Sequence, residues 1–386
     1  MKTITTTTDL EKFCDECASQ PYVTVDTEFL RERTYYSQLC LIQMAYPGEG
    51  DENAVIIDPL AKDLDLAPMY ELFKNTDVVK VFHAARQDLE IFCIEGGVIP
   101  EPFFDTQIAA MVCGFGEQVG YEKLVRQIAN EGVDKSSRFT DWSRRPLSDK
   151  QLTYALADVT HLRVVYEYLE KQLTKSGRSE WVNEEEAILT DPATYRVDPE
   201  NVWKRLKTRT TSGRFLAVVR ELAKFREITA RTRNIPRNRV YKDDALIELA
   251  STRPKSFEDL NRSRLLLREA RKGVIAEGIL AAVKAGEACP NDDLPEAPPV
   301  RVKKNGTESL GDLLRVLLKS KAEKYSVAPK LIATANDLDS IANGFDDEVK
   351  ALRGWRKEVF GEDALRLRNG EIALSATPKG VKIIEL

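Results

Sequence analysis

Residues 22–29 read YVTVDTEF, and this stretch decides the fold of the first part of the chain. Apolar and polar side chains alternate along it, as they do in a β-strand with one buried face. Asp26 and Glu28 stand two positions apart, so both carboxylates point to the same face of that strand. Two such carboxylates repel each other and lose hydration, which a bound cation would offset. The alternative is an ordinary strand face that is exposed to water.

The sequence around this strand predicts further strands that alternate with helices. A capping-box pattern formed by Thr8 and Glu11 predicts a short helix before the first strand. Helices mixed with short strands, some of them joined by tight turns, indicate an α/β fold with a mixed sheet. The other strands are predicted at 39–46, 54–58 and 78–82, and the main helices at 86–94 and 148–174.

Composition limits the chemistry and the location. The chain has 386 residues, a net charge of -5, two histidines and six cysteines. Two histidines exclude a three-histidine zinc site, so we expect any metal ligands to be carboxylates. The cysteines are predicted to be ordinary thiols, since only Cys14 and Cys17 have ligand spacing. With no apolar stretch of about 18 residues and no secretory signal, we expect a cytoplasmic protein without a membrane partner.

The charge is distributed unevenly along the chain. Residues 1–196 carry a net charge of -14, and residues 197–286 carry +10. The basic block has helical spacing of its apolar residues, and its positive charges favour binding to a polyanion over the alternative of solvated helix faces. The basic side chains that cluster around one turn of this block are Arg231, Arg233, Arg237, Arg239 and Lys242.

Two more strings in the first block carry acidic groups. Asp88 follows the strand at 78–82 and lies in the predicted first turn of a helix, where a carboxylate is also common for structural reasons. Tyr154 and Asp158 are four residues apart, which places them on one face of the helix at 148–174. Taken singly, each string is also typical of an ordinary amphipathic helix.

Taken together, these strings resemble the DEDD superfamily of 3′–5′ exonucleases over residues 1–175. Tyr154 stands four residues before Asp158, and Thr153 stands where another branch has histidine, so the chain resembles the tyrosine branch. Three further strings resemble bacterial ribonuclease D: 35–43 (YYSQLCLIQ), 104–107 (FDTQ) and 141–147 (DWSRRPL).

This resemblance implies an organisation in five segments. The first is an RNase H-like α/β exonuclease domain, and the two later helical modules are of the HRDC type, which binds nucleic acid. The implied boundaries are an exonuclease domain at 1–175, a connector at 176–208, a first HRDC domain at 209–288, a proline-rich linker at 289–305 and a second HRDC-like domain at 306–386.

The resemblance also implies site residues and a cofactor. Two divalent ions, Mg²⁺ or Mn²⁺, would be held by Asp26, Glu28, Asp88 and Asp158. Asp26 would bridge both ions, and Tyr154 would orient the attacking water or help to deprotonate it. The implied substrate contacts are Thr27, Phe29, His83, Trp142, Arg144 and Arg145, although each of the last five could serve only in packing.

The expected function is therefore a 3′–5′ exoribonuclease. It would act as a monomer on RNA with a free 3′ end, above all precursor tRNA, and release nucleoside 5′-monophosphates. One alternative is a DNA-directed 3′–5′ exonuclease of the Werner type, although helicase motifs are missing. Another is an inactive nucleic-acid-binding scaffold, which the presence of all four acids and the tyrosine disfavours.

Overall fold

The computed structural model describes residues 2–386 except Lys135, Phe139, Arg209, Thr211, 297–303 and Asn305. The chain divides into two units. Unit 1 comprises Met1–Glu28, Leu41–Asp191 and Arg301–Leu386, and unit 2 comprises Phe29–Cys40 and Pro192–Val300. Part of the linker predicted at 289–305 lies outside the described residues.

A six-stranded sheet forms the centre of unit 1. Its strands stand in the order β1-β4-β3-β2-β5-β6. The pairs β1·β4, β2·β5 and β5·β6 are parallel and β3·β4 is antiparallel, which confirms the predicted mixed sheet. The strands are β1 (Lys2–Ile4), β2 (Tyr22–Leu30), β3 (Gln38–Ala45), β4 (Ala54–Ile57), β5 (Val79–Phe82) and β6 (Phe103–Asp105).

Within the described residues 2–191, seven helices accompany this sheet. They are α1 (Thr7–Ala18), α2 (Ala67–Lys74), α3 (Arg86–Glu95), α4 (Thr106–Val112), α5 (Tyr121–Ile128), α6 (Asp149–Ser176) and α7 (Ser179–Thr190). A capping box formed by Ser148 and Gln151 starts α6, and its apolar face is buried as the sequence predicts. Residues 176–208, predicted as a connector, therefore include the helix α7.

The start of α1 corrects one sequence prediction. Thr6, not Thr8, is the N-cap residue, and its hydroxyl accepts a hydrogen bond from the Asp9 amide at 3.3 Å. The short strand β1, which the sequence did not predict, ends at Ile4, and α1 begins at Thr7.

Unit 2 consists of helices around one apolar core. That core includes Leu222, Tyr241, Leu249 and Ile279. Tyr35, from the segment that joins β2 to β3, packs against it. The helices are α8 (Gly213–Thr232), α9 (Arg237–Val240), α10 (Asp243–Thr252), α11 (Phe257–Arg262) and α12 (Gly273–Glu287), with 3₁₀ turns at Pro192–Thr194, Val202–Arg205, Arg268–Arg271 and Asn291–Asp293.

The C-terminal segment, residues 306–386, belongs to unit 1. It has its own core, which includes Leu317, Ile341, Trp355 and Phe360. Its elements are α13 (Thr307–Tyr325), α14 (Pro329–Ile332), α15 (Ala335–Asn343), a 3₁₀ turn at Lys350–Leu352, α16 (Gly354–Arg356), a π-helical turn at Lys357–Gly361, α17 (Glu362–Asn369), and the hairpin β7 (Ile372–Thr377) and β8 (Gly380–Glu385). In the part of the chain that the structure describes, the helices lack the combined length and apolar character needed to cross a bilayer. The predicted cytoplasmic location stays a prediction.

Candidate active site

Three carboxylates meet beside the central sheet. Asp26 and Glu28 lie on β2, and Asp158 lies on α6. One carboxylate oxygen from each lies within 4.8 Å of those of the other two. The spacing of two along the strand and the position of Asp158 on the helix thus bring together three of the four carboxylates that the sequence predicts as ligands, and the fourth is Asp88.

Burial and mutual repulsion make these groups hard to ionise. Desolvation raises the pKa of Asp26 to about 7. Desolvation, followed by the charges of Asp26, Asp158 and Asp88, raises the pKa of Glu28 to about 10. Desolvation and the charge of Asp26 also raise the pKa of Asp158 well above its ordinary value. Three acids this close suit a divalent cation, which prefers oxygen ligands and whose charge would offset the repulsion.

Asp88 joins the site through Thr27. It lies in the first turn of α3, as predicted, and its side chain is buried. The Thr27 hydroxyl donates a hydrogen bond to Asp88 Oδ1. Desolvation and then the charge of Asp26 raise the pKa of Asp88. Asp88 is therefore an electrostatic neighbour of the three-carboxylate group, while Thr27, predicted as a substrate contact, holds the Asp88 carboxylate.

Tyr154 lies one helical turn before Asp158 and shares a side-chain hydrogen bond with its carboxylate. Desolvation raises the pKa of Tyr154, and the charges of Asp158, Glu28 and Asp26 raise it further. The phenol is therefore neutral at physiological pH and acts as a hydrogen-bond donor. Of the two roles implied by the sequence, orientation of a water fits this state better than deprotonation.

Two residues at the site escaped the sequence reasoning. The positive charge of Arg138 lowers the pKa of both Glu28 and Asp158, which places its guanidinium near the acids. The Tyr121 hydroxyl donates to the backbone carbonyls of Ala157 at 3.0 Å and Asp158 at 2.7 Å, and so fixes this part of α6. Arg138 lies in an irregular loop with no recognisable spacing, and Tyr121 reads as an ordinary aromatic residue at the start of a helix.

The other predicted substrate contacts have different surroundings. His83 Nδ1 lies 3.0 Å from Thr106 Oγ1, and Trp142 is buried with its ring centre 5.9 Å from that of Tyr154. Arg145 forms two hydrogen bonds of 2.6 Å with the Asp58 carboxylate. Arg144 is largely exposed and pairs with Asp141, and Phe29 is half-buried directly after Glu28 on β2. Contact of these residues with a substrate stays a prediction.

The predicted basic cluster of unit 2 separates into two kinds of residue. Arg233, Arg239 and Lys242 are exposed. Arg237 instead forms an ion pair with the buried Glu227, and its guanidinium carbon lies 4.9 Å from the centre of the Tyr35 ring. Arg231 Nε donates to the Tyr36 hydroxyl at 3.3 Å.

Asn234 extends these contacts to the same segment. Its side-chain oxygen accepts hydrogen bonds from the backbone amides of Tyr35 and Tyr36, each at 3.1 Å. Part of the cluster therefore holds the segment 29–40, which leads from Glu28 to β3.

Comparisons with known proteins show which family the chain resembles. A family model described as 3′–5′ exonuclease matches residues 1–174, and one described as HRDC domain matches residues 215–283. Ribonuclease D of Jannaschia sp. is 63% identical over 384 residues, covering 100% of this chain and 99% of that protein. Ribonuclease D of Granulibacter bethesdensis is 49% identical and covers 99% and 96%.

Solved structures show the same likeness in three dimensions. The crystal structure of Escherichia coli RNase D, described as an exoribonuclease involved in structured RNA processing, superposes with a TM-score of 0.83. It is 29% identical and covers 96% of this chain and 98% of that one. The catalytic core of RRP6 from Trypanosoma brucei shares the fold, with a TM-score of 0.55 and coverage of 74% and 79%. The identity of that core to this chain is 23%. By its sequence over the full length and by its fold, the chain belongs to the ribonuclease D family of 3′–5′ exoribonucleases.

Proposed function

We propose that this enzyme trims the 3′ ends of precursor tRNA and other small structured RNAs and releases nucleoside 5′-monophosphates. The observation that supports the proposal most is the group of three carboxylates within 4.8 Å, formed by Asp26, Glu28 and Asp158. Hydrolysis that starts at the 3′ end and cleaves the last phosphodiester adds one water and frees one nucleoside 5′-monophosphate. The enzyme would work as a monomer in the cytoplasm, where precursor tRNA is made.

Two divalent ions, Mg²⁺ or Mn²⁺, held by Asp26, Glu28, Asp158 and Asp88, would supply the Lewis acidity that activates a water and stabilises the leaving oxygen. The raised pKa values of the carboxylates support this proposal, because a bound cation would offset the burial and repulsion that disfavour their ionised forms. Tyr154 stays neutral, so its hydroxyl could orient the attacking water through a hydrogen bond. Arg138, whose positive charge acts on Glu28 and Asp158, would attract a phosphate bound at these acids.

We assign capture of the RNA strand to the exposed part of the basic cluster, Arg233, Arg239 and Lys242. Basic side chains attract the phosphate backbone irrespective of sequence, and this attraction weakens as salt rises. A module of this type would raise the local concentration of RNA ends near the nuclease. The matched HRDC region at 215–283 contains all three residues.

The experiment is digestion of a precursor tRNA labelled at its 5′ end, with Mg²⁺, with Mn²⁺ and with EDTA, followed by sizing of the products. We expect the labelled strand to shorten one nucleotide at a time with metal and to stay intact with EDTA. Mononucleotide products identified as 5′-monophosphates would support the stated chemistry. A parallel DNA strand of the same sequence tests the substrate class, because faster shortening of DNA would overturn the RNA assignment.

A further inference from the structure

The helix that carries Asp88 is capped from outside its own sequence. Among the residues that the structure describes, its N-cap residue Ala85 makes no side-chain capping hydrogen bond. Between the end of β5 at Phe82 and the start of α3 at Arg86, the chain turns in only three residues. Ala84 in this turn has φ of 59°, a left-handed conformation that is unfavourable for a residue with a Cβ. Such a turn persists only where neighbouring groups hold it.

Asp105 supplies the missing cap. Its Oδ1 accepts a hydrogen bond from the Ala84 amide at 3.0 Å, and its Oδ2 accepts one from the Ala85 amide at 2.9 Å. Oδ1 also accepts from the Gln107 amide at 2.8 Å, so one carboxylate caps both α3 and α4. The register of the parallel strands, with Asp105 opposite Phe82, places the side chain beside the turn.

Asp105 is itself held by the helix α7. Its backbone amide donates to Glu186 Oε1 at 2.6 Å, and both side chains are buried. The neighbouring Glu185 on α7 accepts a hydrogen bond from Trp355 Nε1 at 2.9 Å and forms an ion pair with Arg356. The C-terminal segment thus fixes α7, and α7 fixes Asp105.

We propose that Asp105 is a positioning residue for Asp88, acting through the Ala84–Ala85 turn and held in place by Glu186. The inference rests on the proposed function in one respect, namely that Asp88 supports the divalent ions. Displacement of α3 would move Asp88 away from Asp26 and Glu28 without removing any group of the site. Mutation of a residue that orients a metal-site carboxylate in this manner typically lowers metal affinity or activity about 10- to 100-fold.

The test compares Asp105→Asn with a matched control, Asp259→Asn. Asp259 Oδ2 likewise accepts two backbone amides, those of Lys255 at 3.0 Å and Ser256 at 3.1 Å, but it caps the helix α11, which carries no site acid. Each substitution replaces one carboxylate oxygen of a helix cap by an NH₂ group. Asp105 uses both of its oxygens for backbone amides, whereas both amides at Asp259 bond to Oδ2, so Asp259→Asn controls for the loss of a capping charge. We expect Asp105→Asn to lower kcat at least about 10-fold and to raise the half-saturating Mn²⁺ concentration, with KM for RNA within about threefold of wild type. Asp259→Asn should leave all three values unchanged.

Two more variants separate positioning from loss of stability. Ala84→Gly in the Asp105→Asn background should recover part of kcat, because glycine adopts the left-handed conformation without needing the hydrogen bonds from Asp105. Glu186→Gln keeps the acceptor for the Asp105 amide and should retain activity, whereas Glu186→Ala should resemble Asp105→Asn. Wild-type kcat and Mn²⁺ response in Asp105→Asn, with only a lower melting temperature, would overturn the proposal. Inactivity of the wild-type enzyme on RNA would instead contradict the proposed function.

Discussion

The Thr27 hydroxyl donates a hydrogen bond to Asp88 Oδ1, and this bond joins the strand that carries Asp26 and Glu28 to the helix that carries Asp88. Both side chains are buried, so the bond lies in a poorly hydrated environment where an unpaired polar group is costly. Thr27 therefore belongs to the support of the acidic site.

Replacing Thr27 by valine tests this role. Valine keeps the shape of the side chain but removes the hydrogen-bond donor, so the Asp88 carboxylate is no longer held in its orientation. Because the Thr27 hydrogen bond lowers the pKa of Asp88, its loss should raise that pKa further and favour the protonated carboxyl group. We expect kcat on a labelled RNA to fall about 10-fold or more, whereas Thr27→Ser, which retains the hydroxyl, should stay close to wild type. Equal kcat values for the valine and serine variants would show that the hydroxyl has no such role.

Tyr154→Phe tests whether the phenol orients a water. Loss of the hydroxyl should lower kcat about 10- to 100-fold, the range associated with misplaced reacting groups. Because burial and the three acids raise the pKa of Tyr154, the phenol stays neutral between pH 6 and 9. The pH profiles of wild type and Tyr154→Phe should therefore have the same shape. A change of kcat with pH on the alkaline side that occurs in wild type and is missing in Tyr154→Phe would instead assign the proton transfer to Tyr154.

The acidic site predicts a pH-dependent stability of the metal-free protein. The folded pKa of Asp26 is about 7 and that of Glu28 about 10, and both exceed the ordinary value near 4. Groups with a raised folded pKa favour the folded state while they are protonated, and this contribution is lost as the pH rises through the folded pKa. The melting temperature in EDTA should therefore fall between pH 5 and pH 8.

Metal should reverse this trend. Mn²⁺ at 100 times its dissociation constant would add about 2.7 kcal/mol to the free energy of unfolding. The resulting rise in melting temperature should be larger at pH 8 than at pH 5, since ionised carboxylates bind the ion. Asp26→Asn serves as the control and should show a flatter pH profile and a smaller response to Mn²⁺. Identical melting curves for wild type with and without Mn²⁺ would contradict a metal site at these residues.

The basic cluster of unit 2 should separate by mutation into binding and structural residues. Arg239→Ala with Lys242→Ala removes two exposed charges, so RNA affinity should fall and the salt dependence of binding should weaken by about one unit of slope per lost phosphate contact. The free energy of unfolding should not change. Binding measured by fluorescence anisotropy at several salt concentrations checks this expectation.

Arg237→Ala gives the contrasting result. Glu227 is 1% exposed, so removal of its arginine leaves a buried carboxylate with a weaker set of partners. We expect a loss of about 2 kcal/mol in the free energy of unfolding. If the Arg237→Ala protein is as stable as wild type but binds RNA more weakly, Arg237 contributes to RNA binding and not to stability.

Much of the site follows from regular spacing. The interval of two between Asp26 and Glu28 and the interval of four between Tyr154 and Asp158 translate directly into a strand face and a helix face. The first-turn position of Asp88 follows from the apolar strand before it. Each pattern alone is also typical of an ordinary strand or helix, and the acids were predicted as one site because their order and spacing resemble the DEDD superfamily.

Contacts between distant parts of the chain were not predictable in this way. Asp105 caps a helix whose N-cap residue, Ala85, lies 20 residues earlier, and its role depends on the strand register rather than on spacing. Tyr35 belongs by sequence to the nuclease, yet it packs in unit 2. Arg237 looked like a free surface charge, because the sequence does not reveal that Glu227 is buried beside it.

The most direct test of the central claim is a single-turnover digestion of a 5′-labelled RNA by wild type and by Asp158→Asn, in Mg²⁺ and in EDTA. The variant keeps the shape of the side chain but removes one charge from the three-carboxylate group. Because metal ions supply several kcal/mol of transition-state stabilisation, the rate of nucleotide release should fall at least about 100-fold, while RNA binding stays at the wild-type level. A wild-type rate from Asp158→Asn in Mg²⁺ would contradict the claim that these carboxylates form the hydrolytic metal site.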